Sequence, residues 1–252
     1  MKIIDSPAVR GIANRQLRFY MTNPAPCPYL EGKSERKVFT NLAVSDAELL
    51  HDALSHSGFR RSQSIAYRPA CTACNACRAT RIPVADFSPT KRWRRVLKKN
   101  ASLIREPKRP TATREQYNLL KRYLDGRHAH GGMAGMNLRD YVSMVEGSPV
   151  PTVVFEYREG PEPDSTLIAA ALVDVLKDGL SMVYSFFEPE RATQSMGNFI
   201  ILDHIAYAQE LNLDYVYLGY WVESSPKMGY KADFRPLEIL DGDEWRILED
   251  EA

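Results

Sequence analysis

Four cysteines are the residues whose type and spacing most directly suggest chemistry. Cys71, Cys74 and Cys77 follow one another at three-residue intervals in CTACNACR, and Cys27 lies far upstream in PAPCPYLEG. A tight turn lets thiolates at this spacing converge on one metal ion or cluster, with Cys27 as the fourth ligand. Four thiolates suit zinc or an iron–sulfur cluster equally. The alternative is plain packed thiols, since the sequence lacks the two C-x2-C knuckles of a zinc ribbon.

Basic residues are concentrated in two places on a chain whose net charge is only +1. Arg60 and Arg61 are adjacent, so they point in different directions and one of them could bind an anion; two solvated arginines are the alternative. The segment KRWRRVLKKN could hold nucleic-acid phosphates by displacing counterions, although a solvated helix face explains it equally well. Its basic residues are Lys91, Arg92, Arg94, Arg95, Lys98 and Lys99.

The segment YWVESSPKMGYKADFRP forms a third candidate site. It follows an apolar strand, and ligands of open α/β sheets bind at the carboxyl ends of strands. A surface loop with solvated lysines is the alternative. The residues that could bind a substrate or move a proton are Tyr220, Glu223, Ser225, Lys227, Tyr230 and Lys231.

Two weaker signals remain. His128 and His130 flank a glycine-rich loop and could bind a metal or shuttle protons, although surface histidines are commoner there. The segment QSMG, Gln194 to Gly197, is similar to the Q-x-x-G-x-G pyrophosphate loop of acetyltransferases. Phe199 stands where the second glycine would be, so the signal for a coenzyme A site is weak.

Hydrophobic periodicity predicts the elements that must position these residues. SDAELLHDALSHSGF, TKRWRRVLKKNASLI, 114–124 and SMGNFIILDHIAYAQEL read as helices, the first with a capping box of Ser45 and Glu48. TVVFEYR and LDYVYLGYW read as strands, and TLIAAALVDVL with LSMVYSFF reads as a hairpin that turns at Asp178-Gly179. This order predicts an α/β (α+β) fold with a mixed central sheet.

The chain length allows one large or two small domains. The two prolines of EPKRPTAT indicate a boundary between an N-terminal domain, residues 1–105, with the cysteines and the basic helix, and a second domain, residues 106–252. No apolar run approaches the roughly 20 residues of a membrane span. The first residues lack the apolar core of a secretory signal. We therefore expect a cytoplasmic protein.

Four segments together resemble one family, the arginyl-tRNA–protein transferases, in particular its bacterial leucine-transferring subfamily. They occur in family order: GFRRSQSIAYRPAC, RIPVADFSPTKRWRRVLKKN, LVDVLKDGLSMVYSFFEPE and YLGYWVESSPKMGYKADFRP. The resemblance implies transfer of an amino acid from its tRNA to the N-terminal amine of proteins that begin with Asp or Glu, which marks them for N-degron degradation. It also implies that the second domain has a GNAT-like acyltransferase fold and that transfer requires no cofactor.

The resemblance guides hypotheses for the site residues. Arg60 or Arg61, with Lys227 or Lys231, would bind the acidic side chain of the acceptor. Tyr220, Ser225 or Tyr230 would orient the amine or donate to the oxyanion, and Glu223 would accept a proton. The basic helix would hold tRNA.

The cysteines depart from the family pattern. Eukaryotic relatives have C-x2-C in the first segment and an adjacent pair in the second, whereas here Leu30 replaces one cysteine and the second segment has three. The total remains four, so zinc or iron–sulfur binding carries over only as an expectation. Arginine as the donated residue, a coenzyme A-dependent N-acetyltransferase, and a non-enzymatic RNA-binding or metal-sensing protein are the alternatives.

Overall fold

The computed structural model describes residues 17–127, 132–162 and 164–249, so His128 and His130 lie outside the described residues. The strands are β1 (Tyr20–Met21), β2 (Ala25–Pro26), β3 (Ser34–Glu35), β4 (Lys37–Asn41), β5 (Arg60–Ser62), β6 (Ile65–Pro69), β7 (Arg78–Pro83), β8 (Leu103–Lys108), β9 (Thr152–Glu159), β10 (Leu167–Val175), β11 (Gly179–Phe187), β12 (Tyr215–Trp221), β13 (Glu238–Asp241) and β14 (Glu244–Ile247). The α-helices are α1 (Ala47–His56), α2 (Lys91–Lys99), α3 (Arg114–Arg127), α4 (Leu138–Glu146) and α5 (Met196–Glu210). Two short 3₁₀ helices span Pro189–Gln194 and Gly229–Asp233.

An eight-stranded mixed sheet forms the centre of the protein, in the order β14-β13-β7-β12-β11-β10-β9-β8. Within the described ranges its neighbouring strands are antiparallel except β11 and β12, which are parallel and are connected through α5. The predicted α/β class and mixed sheet are confirmed, as is the hairpin of β10 and β11. Strand β7 precedes residue 105 yet lies between β12 and β13, so this sheet spans the proposed boundary. The division at residues 105 and 106 stays a prediction.

The two faces of this sheet are covered by different helices. The alternation of side chains along β10 sends Ala169, Ala171 and Val173 into the core shared with α2 and α5. Its intervening residues Ala170 and Leu172 pack into the core shared with α3 and α4. Both faces of β10 are therefore buried, which explains its continuous apolar sequence.

A four-stranded sheet, β1-β4-β6-β5, carries the first candidate site and packs with α1 around a small core of its own. This core contains Leu42, Leu50, Leu54, Phe59 and Ala66. Among the described residues, no helix has the length and apolar character needed to cross a bilayer.

Several predicted helix boundaries are wrong; α3, for example, continues to Arg127 instead of ending at Leu124. Helix α1 begins after Asp46 without a side-chain cap, so the expected capping box of Ser45 and Glu48 does not form. Helix α2 ends at Lys99 because the buried Asn100 side chain donates to the carbonyl oxygens of Val96 and Gln194. The residues that follow then turn into β8, which pairs with β9, instead of continuing the helix.

A buried ion pair joins the small sheet to the large one. Arg61 on β5 donates from Nε and from a terminal nitrogen to the two Asp174 carboxylate oxygens, at 2.7 and 2.6 Å, and both side chains are fully buried. Thr152 donates to the same carboxylate, and His51 lies 3.1 Å from it. Burial opposes ionisation of Asp174, but hydrogen bonds from His51 and Arg61 hold its pKa below the usual value.

Replacing Asp174 with Asn should destabilise the fold by about 3–5 kcal/mol, because it leaves the Arg61 guanidinium buried without a counter-charge. Urea denaturation measures the effect. The matched control is Asp241→Asn, which removes an exposed carboxylate 3.7 Å from Arg246 and should cost less than about 1 kcal/mol. Equal losses for the two variants would contradict the structural role of the buried pair.

Candidate functional site

Strands β11 and β12 separate in the middle of the large sheet. They pair only from Gly179–Ser181 with Tyr215–Tyr217, although β11 continues to Phe187 and β12 to Trp221. The gap opens at the carboxyl ends of the only parallel pair within the described ranges. This is the position at which α/β sheets bind ligands.

Arg60 enters this gap from β5 of the small sheet. One of its terminal nitrogens donates to the carbonyl oxygens of Met182 and Val183 on β11, at 2.7 and 3.2 Å. On the other side its guanidinium lies against Gly219 of β12, where φ is +78° and a Cβ would overlap Arg60. Gly219 therefore provides both the left-handed backbone and the space for the arginine. Arg60 holds together two strands that no longer pair with each other.

A β-bulge lies on β11 beside Arg60. Leu172 of β10 pairs with Tyr184 and Val173 pairs with Met182, so Val183 has no partner residue on β10. A bulge takes a residue out of the regular ladder and is frequent next to active sites. The backbone of Val183 is thus placed at the gap, where its carbonyl oxygen already binds Arg60.

Three tyrosines from different elements meet near Arg60. Burial and the neighbouring Tyr123 of α3 raise the pKa of Tyr184 on β11. Partial burial and Tyr123 also raise the pKa of Tyr230, and Arg60 opposes this shift. Sequence reasoning missed Tyr123 and Tyr184, because no local pattern marks them and only the tertiary fold brings them to the gap.

Lys231 is the buried basic residue of the candidate loop. Its side chain is 5% exposed, and Nζ donates to the carbonyl oxygen of Tyr220 at 2.5 Å. Burial, followed by the Arg60 guanidinium, holds the pKa of Lys231 well below its usual range. No carboxylate of the described residues is among the groups that shift this pKa. Among the described residues, the hydrogen bonds of Arg60 and Lys231 go to backbone carbonyl oxygens and not to carboxylates.

The other loop candidates are placed differently. The Tyr220 hydroxyl is shared between the carbonyl oxygens of Gly58 and Tyr67 in the small sheet, so its proton is not available to an oxyanion. Ser225 is buried, and its hydroxyl has no hydrogen-bond partner among the described residues. Glu223 and Lys227 are exposed on the loop surface. The structure thus brings Tyr230 and Lys231 towards Arg60. Tyr220 instead binds the small sheet, Ser225 is buried, and Glu223 and Lys227 face solvent.

Arg61 lies in the protein interior, away from the gap. Besides its two bonds to Asp174, its remaining terminal nitrogen donates to the Gln63 carbonyl oxygen at 3.0 Å. The guanidinium is fully buried, and all three of its nitrogens donate to groups within the protein, so Arg61 serves the internal ion pair. Of the two adjacent arginines, Arg60 is the one at the gap.

The basic helix is attached to the segment that carries Tyr230 and Lys231. Trp93 of α2 stacks on Phe234 with ring centroids 4.5 Å apart, and Arg92 donates to Asp233 at 2.7 Å. The six predicted phosphate-binding residues are all exposed, since Trp93 and Val96 take the buried face. Arg92 is partly neutralised by Asp233, so the other five supply most of the positive charge.

The four cysteines line one cavity of about 300 Å³ together with Tyr29, Tyr67 and Tyr220. All four are free thiols, and burial together with the other three raises the pKa of Cys77 to about 11. Four thiols are a suitable donor set for zinc or an iron–sulfur cluster. However, no group of three or more metal-ligating side chains stands at binding distance within the part of the chain that the structure describes. The metal site stays a prediction.

Fold and site together define an α/β protein with basic side chains at the separated end of a parallel strand pair and a basic helix attached to the adjacent loop. Residues 25–95 match the family described as "Arginine-tRNA-protein transferase, N terminus", and residues 115–241 match its "C terminus" counterpart. The chain belongs to this family. Membership makes it an aminoacyltransferase and confirms the resemblance inferred from the sequence.

Relatives cover nearly the whole chain. It is 57% identical over 251 residues to the "Aspartate/glutamate leucyltransferase" of Hyphomonas neptunium, with 100% of both chains aligned. A protein of the same name from Parvibaculum lavamentivorans is 56% identical and covers 91% of this chain and 94% of its own. Another, from Bradyrhizobium diazoefficiens, is 54% identical, with 90% and 91% covered.

Similar solved structures are far more distant. The crystal structure of FemX aligns with a TM-score of 0.43 and 9% identity, over 84% of this chain and 81% of that one. L-PGS from Bacillus licheniformis aligns with a TM-score of 0.43 and 11% identity, over 70% and 50%.

Gly219→Ala tests the contact between Arg60 and β12. Gly242→Ala is the matched control, since Gly242 also has a positive φ, +64°, but nothing within 4 Å of an added Cβ. Both variants incur about 1–2 kcal/mol for the left-handed conformation, and Gly219→Ala should cost at least about 1 kcal/mol more because it displaces Arg60. Urea denaturation measures both. The extra destabilisation of Gly219→Ala over Gly242→Ala should shrink when Arg60→Ala is added to both. If it persists, Arg60 does not contact residue 219.

Proposed function

We propose that this protein transfers leucine from leucyl-tRNA to the N-terminal amine of proteins that begin with Asp or Glu, in the cytoplasm, and so marks them for N-degron degradation. The observation that carries this proposal is the full-length alignment, at 57% identity, with a protein named aspartate/glutamate leucyltransferase. The geometry of the gap and the position of the basic helix also support the proposal.

The acceptor site lies at Arg60 and Lys231. Two basic groups that border one gap without a described carboxylate are complementary to an acidic side chain. Lys227 is exposed on the same loop and adds positive charge where the acceptor enters. An N-terminal Asp or Glu would thus place its carboxylate on this pair, with its α-amine beside it. Tyr230, whose ring is 40% exposed, is placed to orient that amine.

The donor site uses the basic helix and the gap. Lys91, Arg94, Arg95, Lys98 and Lys99 would contact tRNA phosphates, which need positive charge but no fixed sequence. Because Trp93 and Arg92 attach α2 to the Gly229–Asp233 segment, tRNA bound on this helix would have its 3′ end near Lys231. The donated leucyl group would then lie against the tyrosines that surround the gap.

The chemistry is direct attack of the acceptor amine on the aminoacyl ester. The ester is already activated, so the enzyme needs no nucleophile of its own. Holding amine and ester together is worth roughly 7–11 kcal/mol of the barrier. Each donor aimed at the oxyanion adds about 3 kcal/mol. The remaining N–H groups of Arg60 and the Val183 backbone N–H on the bulge are candidates for this role.

The cysteine cavity is assigned a supporting role. Zinc or an iron–sulfur cluster, held by Cys27, Cys71, Cys74 and Cys77, would brace the small sheet from which Arg60 extends. The acyl transfer itself uses no metal chemistry from this site, since the substrate ester is activated already.

Metal analysis of protein purified without oxygen tests this role of the four cysteines. Cys74→Ser should lower the metal content and weaken acceptor binding more than tRNA binding.

A transfer assay tests the proposed function. The protein is mixed with radiolabelled leucyl- or arginyl-tRNA and with peptides that begin with Asp, Glu, Lys or Arg. We expect leucine on the Asp and Glu peptides, because only these supply the carboxylate that Arg60 and Lys231 bind. Acetyl transfer from acetyl-coenzyme A, or arginine as the preferred donor, would contradict the proposal.

The tRNA site is tested by salt dependence. In the double variant Lys98→Gln/Lys99→Gln, the slope of log K against log salt for tRNA binding should fall in magnitude by about 1.4–1.8. This value assumes that each lysine makes one phosphate contact that releases a counterion. Lys177→Gln is the control, since Lys177 is exposed on the hairpin at the opposite end of β11. An unchanged slope in the double variant would place the tRNA elsewhere.

A further inference from the structure

Lys231 lies where a charged ammonium is costly. Its side chain is almost completely buried, and within the described ranges the hydrogen bond of Nζ goes to the Tyr220 carbonyl oxygen. The bond uses an N–H of the amine, so a neutral Lys231 keeps its lone pair. The titratable groups around it are Arg60 from β5, the adjacent Tyr230 and, beyond that ring, Tyr123 from α3. None of these stabilises a second positive charge.

We propose that Lys231 is the proton acceptor of the transfer reaction and that the acidic side chain of the acceptor protein enables it to take the proton. The inference rests on the proposed function and adds a mechanism for its specificity. Its basis is a buried amine that donates to the Tyr220 carbonyl oxygen, one residue after the Gly219 that the Arg60 guanidinium contacts, at the gap where the acceptor carboxylate would bind. The lowered pKa of Lys231 agrees with a neutral amine in the free enzyme.

The proton balance is as follows. The acceptor arrives with an α-ammonium group and a side-chain carboxylate. A proton passes from the α-ammonium to Lys231 Nζ, and the new lysine ammonium pairs with the carboxylate. The freed amine attacks the ester carbonyl, so that a C–N bond forms. As the C–O bond to the tRNA breaks, the 3′ oxygen takes a proton from the attacking nitrogen. Lys231 returns its proton to solvent when the product leaves.

This mechanism links substrate selection to the rate of the reaction. An acceptor without a carboxylate leaves protonated Lys231 facing Arg60 alone, which disfavours proton transfer even when the peptide is bound. The exposed Glu223 and Lys227 have no such coupling, because solvent screens their charges. On the wild-type protein, therefore, a peptide beginning with Asn should show a lower kcat than its Asp counterpart at saturation, and not only a higher KM.

The decisive variant is Lys231→Arg, which provides the positive charge that pairs with the acceptor carboxylate but no base near neutral pH. We expect kcat for an Asp peptide to fall about 10²–10⁴-fold, as for loss of a general base, while KM changes only a few-fold. The remaining rate should rise with pH until the acceptor α-amine, with a pKa near 7.7–8.0, is itself neutral. Lys177→Arg, at the far end of the sheet, is the control for surface substitution.

An acceptor analogue separates catalysis from structure. An Asp-like peptide whose α-amine is replaced by an aminooxy group is already neutral at pH 7 and needs no base. Lys231→Arg should transfer leucine to it at nearly the wild-type rate. Lys231→Met, which removes the amine and keeps the apolar stem, should show the same recovery. Equal losses with both acceptors would mean that Lys231 only maintains the structure, and would overturn the proposal.

Failure of the Lys231 inference can be distinguished from failure of the proposed function. If the wild-type protein transfers leucine and Lys231→Arg keeps its kcat for the Asp peptide, the inference is wrong and the proposed function stands. If the wild-type protein transfers no leucine, the proposed function falls, and the inference with it. The comparison of Asn and Asp peptides on the wild-type protein needs no variant, and equal kcat values there would also overturn the inference.

Discussion

Two adjacent arginines on a three-residue strand connect the small sheet to the large one. Because neighbouring residues of a strand point to opposite faces, Arg60 and Arg61 reach different parts of the same partner sheet. Arg61 is neutralised by the buried Asp174 on β10. Arg60 instead donates to two β11 carbonyl oxygens and lies on Gly219 of β12. One arginine therefore fixes the position of β5, and the other brings an uncompensated charge to the gap.

That charge explains how the gap can serve as an anion site. Backbone carbonyl oxygens hold Arg60 in place but carry no full negative charge, so its attraction for a carboxylate remains. Lys231 approaches from the loop after β12 and is bordered by the same guanidinium. The helix α2 is attached to this loop through Trp93 and Arg92. Arg60 of the small sheet and Lys231 of the loop after β12 thus lie in one region, and the basic helix is attached to that loop.

The sequence predicts the elements that local patterns determine. The β10–β11 hairpin has a turn dipeptide between two apolar runs, and α5 has a long apolar periodicity, so both are found as expected.

The candidate site is only partly predictable from the sequence. Arg60 and Lys231 stand among the candidates by residue type and by resemblance, but the choice between Arg60 and Arg61 depends on which face of β5 meets Asp174. The strand separation, the bulge at Val183 and the burial of Lys231 arise from tertiary packing, which no local pattern encodes.

The most direct test is a crystal structure of the protein with a peptide that begins with Asp. The account predicts that the side-chain carboxylate lies within hydrogen-bonding distance, about 2.7–3.2 Å, of both Arg60 and Lys231, with the α-amine beside Lys231 Nζ. An acceptor N-terminus bound elsewhere, for example in the cavity that the four cysteines line, would contradict the account.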